Sequence, residues 1–184
     1  MNYKFPPGVA LRLAAGKGID MNSHYVNRSD APLQGEVVTN LHLADPASVQ
    51  HVAEVMFLNY DQFELPPQQV TTVTGTFVFG DAVNIFQLFS HAHEHMLEFR
   101  VLISGGPRHG ELVYLARDWE HPPILQIDPP LRLERLQGLE LVVTYDNWTE
   151  RTLRFGLLSE DEMMILSGYY YTDGGGQAAA DAVP

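Results

Sequence analysis

Apolar and polar residues alternate with a period of two over much of this chain, and helical periodicity is scarce. Residues 36–43 alternate as a half-buried strand should, residues 70–79 are β-branched and aromatic throughout, and residues 139–145 read as a clean strand. Shorter strands are expected at 9–13, 19–27, 124–127, 152–157 and 164–171, and residues 111–115 form the return of a hairpin after Gly105-Gly106-Pro107. Residues 46–56 fit a helical face through Val49, Val52, Ala53 and Met56, yet Val55-Met56-Phe57-Leu58 suits a strand equally well. Proline and glycine divide these runs: His121-Pro122-Pro123 and Asp128-Pro129-Pro130 each break the chain, and Asp146-Asn147-Trp148 is expected to turn it. The pattern predicts an all-β fold, an antiparallel jelly-roll-like β-sandwich over residues 1–173, with a disordered Gly- and Ala-rich tail at 174–184.

One stretch stands apart, Phe89-Ser90-His91-Ala92-His93-Glu94-His95-Met96, with three histidines at every second position. Its flanks are aromatic and branched, which predicts a strand running through it. Side chains two apart on a strand share a face and lie roughly 7 Å apart, close enough for two imidazoles to converge on one ion. His91 and His93 are therefore the candidate metal pair, and strand geometry carries His95 beyond reach of the ion that His91 holds. Downstream, Met163 and Met164 follow the acidic turn Ser159-Glu160-Asp161-Glu162. A thioether added to two imidazoles makes a donor set for copper, and the soft sulfur favours Cu(I). A neutral metal-bound imidazole orients its second N–H toward a carbonyl or carboxylate, for which Glu94, Glu98 and Asp81 are the candidates.

Composition narrows the chemistry further. The 184 residues include 23 Asp and Glu against 11 Lys and Arg, a net charge of −12 that argues against binding nucleic acid. No apolar run has the length of a membrane span, and the N-terminal residues show no apolar core of a signal peptide. Cysteine is absent, which removes disulfides and thiolate metal sites and leaves His, Met and carboxylate as ligands.

Ser90-His91-Ala92-His93, Tyr145-Asp146-Asn147, Gly156 and Asp161-Glu162-Met163 resemble, in order and spacing, the C-terminal domain of the copper type II, ascorbate-dependent monooxygenases. That family includes peptidylglycine α-hydroxylating monooxygenase and dopamine β-monooxygenase. The resemblance implies that His91, His93 and Met163 hold the copper that activates O2 for C–H hydroxylation, with ascorbate as electron donor. Ser23-His24-Tyr25 resembles the family's His-Tyr motif, which makes His24 a candidate ligand of a second copper. Its remaining histidines would come from an N-terminal histidine-bearing domain or subunit. An extracytoplasmic setting is also implied.

The departures bear on the substrate. Phe89 stands where the peptide enzyme has an arginine for its substrate's carboxylate, and Ile165 and Ser167 stand where it has Asn and Tyr. A peptidylglycine substrate is thus not expected; an unknown small molecule at an apolar site is. Met164 replaces a family cysteine. Two other readings remain. His91, His93, Glu98 and Gly105 also fit the first metal motif of cupins, with His109 and His121 as downstream candidates, and a non-catalytic copper-binding module would use the same His-His-Met ligands.

Overall fold

The computed structural model describes residues 4–19, 21, 25, 27, 29–174 and 180–183, the last four by their backbone alone. Two five-stranded sheets make an all-β sandwich. The first runs β1 (Val9–Leu11), β2 (His51–Asn59), β11 (Ile165–Tyr171), β5 (Val83–His91), β8 (Leu125–Leu133). The second runs β12 (Ala180–Val183), β4 (Gln69–Phe79), β9 (Gly138–Asn147), β6 (Met96–Ser104), β7 (Leu112–Ala116). Two short strands, β3 (Glu64–Leu65) and β10 (Leu153–Arg154), pair at one end. Among the described residues every strand pairing is antiparallel except that of β1 with β2.

The period-two pattern explains the layers. On β9, Leu139, Leu141, Val143 and Tyr145 face inward, while Glu140, Val142 and Thr144 face out. The inward set meets Phe77 and Phe79 of β4, Phe99, Val101 and Ile103 of β6 and, from the opposite sheet, Met56, Leu58, Ile85, Leu88 and Leu166. Burying each of these large side chains contributes about 1.5–3 kcal/mol.

Several expectations are corrected. Residues 36–43 form no strand; Val37, Val38, Leu41 and Leu43 are exposed, and no described strand offers them a face to cover. The 46–56 ambiguity resolves into a turn of 3-10 helix at Pro46–Ser48, capped by Asp45, followed by β2. Asp128-Pro129-Pro130 does not end a strand. It lies inside β8, at a register shift opposite β5 where the ladder needs no N–H from the prolines. Part of the tail expected to be disordered, Ala180–Val183, pairs along β4 from Phe79 to Thr76. The 19–27 strand falls largely on residues outside those described, and the described ones, Ile19, Met21, Tyr25 and Asn27, are exposed and not in a strand.

The central correction concerns the histidines. β5 belongs to the first sheet and ends at His91, whereas β6 belongs to the second and begins at Met96. Residues 92–95 carry the chain across the edge of the sandwich, so His91, His93 and His95 do not line one strand.

Candidate metal centre

This crossover sets the geometry of the site. His91, the last residue of β5, pairs with Ile165 of β11 and is exposed. His93 lies within the crossover and is half-buried. Their imidazole centroids are 5.3 Å apart with the ring planes at 80°, an edge-to-face arrangement. His95, expected to be carried away along a strand, is instead turned inward by the crossover. It is 2 % exposed, its ring lies 3.9 Å from that of Trp148, and its Nδ1 lies 3.1 Å from the carbonyl of Asp146.

The His93 ring is held from outside. Nδ1 lies 2.8 Å from the main-chain oxygen of Asp161. A carbonyl can only accept, so Nδ1 carries the proton and donates it, which leaves the Nε2 lone pair for a metal. This is the support that the sequence reading sought from Glu94, Glu98 or Asp81. Glu98 is engaged elsewhere, with Arg100 at 3.2 Å and Arg117 at 2.8 Å. The partner is a backbone carbonyl in the Asp-Glu-Met segment, a contact that residue types and spacing do not reveal.

That segment is folded tightly. Glu162 N donates to the Arg154 carbonyl at 3.0 Å, Gly156 N donates to the Glu162 carbonyl at 3.1 Å, and Phe155 bridges Glu162 in parallel. A Cβ at Gly156 would run into the Asp161 carboxylate, so any larger residue there would have to displace that side chain. The loop delivers Met163, 7 % exposed, two residues before Ile165, the β11 partner of His91. Tyr145, fully buried on β9, donates its hydroxyl to the Met163 carbonyl at 2.8 Å.

Glu162 is a candidate site residue that sequence reasoning missed. It is fully buried, and its carboxylate accepts main-chain N–H bonds from His93 (3.1 Å), His95 (3.0 Å) and Met163 (3.1 Å). Burial raises its pKa above the ordinary carboxylate value, and the three N–H donors pull it back. Burial also holds the Tyr145 hydroxyl well above its ordinary pKa, with the neighbouring Glu162 adding to the shift.

The structure thus brings His91 and His93 together, and joins His93 to Met163 through Glu162, while directing His95 elsewhere. His24 lies outside the described residues. Among the described residues no three His, Cys, Asp or Glu side chains converge as a metal-binding group. A cupin set of three histidines and Glu98 is therefore not assembled from them. His109 accepts the Gly105 N–H and His121 lies beside Asp118, both in loops of their own. The candidate donor set expected from the sequence is mixed, two imidazoles and a thioether, and the chemistry of such a set fits copper. No described helix is long and apolar enough to cross a membrane. No family model and no curated protein matches this chain.

Proposed function

We propose that this chain is a copper-binding domain of the oxygen-activating type found in ascorbate-dependent monooxygenases, with His91, His93 and Met163 as ligands. The observation that carries this reading is the pair of imidazoles 5.3 Å apart, one with its Nδ1 fixed on the Asp161 carbonyl, beside a methionine anchored to the carboxylate that anchors His93. When bound, copper supplies one-electron chemistry toward O2, with ascorbate as the electron donor. The chain's own contribution is to orient the donors and to offer an apolar approach to them. In the register of the first sheet, Ile165 sits between Asn59 and His91, and Ser167 between Phe57 and Phe89. Strand alternation places these residues on the outer face, where Phe57 is 62 % exposed while Ile165 is buried. The substrate suited to this approach is an apolar small molecule, with no arginine at position 89 to hold a carboxylate.

Anaerobic titration with Cu(I) against a chromophoric chelator tests the ligand set. One Cu(I) per chain is expected, with His91→Ala, His93→Ala and Met163→Ala each weakening binding severely and His95→Ala leaving it within a few-fold. Equal losses at all four positions would overturn the assignment. Oxygen uptake with excess ascorbate then separates an enzyme from a module that only binds copper.

A further inference from the structure

A single buried carboxylate ties the histidine crossover to the methionine loop, and it does so through main chain alone. Glu162 Oε2 accepts the N–H of His93 and the N–H of Met163, each at 3.1 Å, while Oε1 accepts the N–H of His95 at 3.0 Å. Among the described residues no lysine or arginine forms an ion pair with it. Burying a carboxylate without a cation is costly unless its lone pairs are met by donors. Here three donors converge on it from two segments that are about seventy residues apart in sequence.

We infer that Glu162 is the positioning residue of the metal centre: it fixes the spacing between the main chains that carry the His93 imidazole and the Met163 thioether before any metal arrives. Because one oxygen accepts both N–H groups, the two ligand-bearing residues are held on either side of a single atom. The third bond, to His95, pins the far end of the crossover, so that the chain between His91 and Met96 has little freedom to swing His93 away. Two residues of the Asp-Glu-Met segment are thereby committed, since Asp161 fixes the His93 ring and Glu162 fixes its backbone. The inference rests on the reading that His91, His93 and Met163 hold copper.

Its test has a part that needs no copper and no variant. In the metal-free wild-type protein, the amide protons of His93, His95 and Met163 should exchange slowly with solvent and keep that protection when Cu(I) is added. Free exchange of these amides before copper is added would overturn the inference. The second part compares Glu162→Gln and Glu162→Asp. Glutamine keeps the length but must turn its NH2 toward at least one N–H donor, and aspartate keeps the charge but shortens the reach. Both should bind Cu(I) about 10–100-fold more weakly than wild type, the range seen when outer partners of metal ligands are lost. His95→Ala, which keeps its backbone N–H, should stay within a few-fold. In the reduced, Cu(I)-loaded Glu162 variants the sulfur contribution to the X-ray absorption should diminish. Wild-type affinity and an undiminished sulfur signal in a folded Glu162→Gln protein would overturn the positioning role and leave the copper reading intact. A wild-type protein with protected amides that binds no Cu(I) would instead overturn the copper reading.

Discussion

Asn147→Ala should be among the most destabilising single changes in this protein, because one buried amide closes the end of the sandwich nearest the histidine crossover. Asn147 is fully buried at the end of β9. Its Nδ2 donates to the carbonyls of Leu65 (2.9 Å), Pro66 (3.0 Å) and Arg151 (2.8 Å). Its Oδ1 accepts from Thr149 N (3.0 Å) and Thr149 Oγ1 (2.6 Å). Truncation removes the donor for three carbonyls and the acceptor for one N–H and one hydroxyl. Water can reach the rim groups of the 149–151 turn, but the Leu65 and Pro66 carbonyls lie beside a fully buried side chain. At about 1–3 kcal/mol for each buried group left unpaired, and discounting those that water can satisfy, the expected loss is about 3–5 kcal/mol. Asn147→Asp should cost at least as much despite its identical shape, since it turns an oxygen toward three carbonyl oxygens. Equilibrium urea unfolding gives both values, and an unchanged m-value would show that the loss lies in stability and not in the extent of unfolding. A loss below about 1 kcal/mol for both variants would refute the claim that this hub is closed to water.

Tyr145→Phe should cost about 1–3 kcal/mol, because the Met163 carbonyl loses its donor while the ring keeps its stack on Phe63, 5.8 Å away. The same variant bears on pH. Burial raises Tyr145 and Tyr114 above the ordinary value of 10.0, so above that pH the unfolded chain releases protons that the native chain retains. Stability should therefore fall as pH rises from 10 toward the folded values, by about 1.4 kcal/mol per pH unit for each tyrosine. Tyr145→Phe should flatten that alkaline limb in pH-dependent urea melts, and an unchanged slope would contradict it. Gly156→Val should displace the Asp161 side chain and slacken the His93 ring, weakening Cu(I) binding more than it lowers the melting temperature. With excess ascorbate, the isolated chain should consume oxygen slowly and release peroxide, because a lone copper stores one electron; tightly coupled product formation insensitive to His24→Ala would contradict that division of labour.

The all-β class was legible because inward and outward residues alternate so regularly on strands such as β9 and β4. The same rule misled at residues 36–43, where alternation is present but no described strand lies alongside. It misled again at the histidines. A run of aromatic and branched residues on both flanks looks like one strand, yet the chain changes sheets between His91 and Met96, which only the packing of the two layers decides. Strand spacing separates His95 from His91 alone; in the structure His95 is buried against Trp148. The supports of the site were beyond the sequence. The Asp161 carbonyl is common to every residue type, and Glu162 reads as one more acid in an acidic turn until its three N–H partners are in place.

The most direct test of the proposed centre is X-ray absorption at the copper edge of the reduced, Cu(I)-loaded protein. Nitrogen scatterers from two imidazoles and one sulfur scatterer are expected, and the sulfur should vanish in Met163→Ala while the nitrogens remain. A spectrum without sulfur, or one that Met163→Ala leaves unchanged, would contradict a centre built from His91, His93 and Met163.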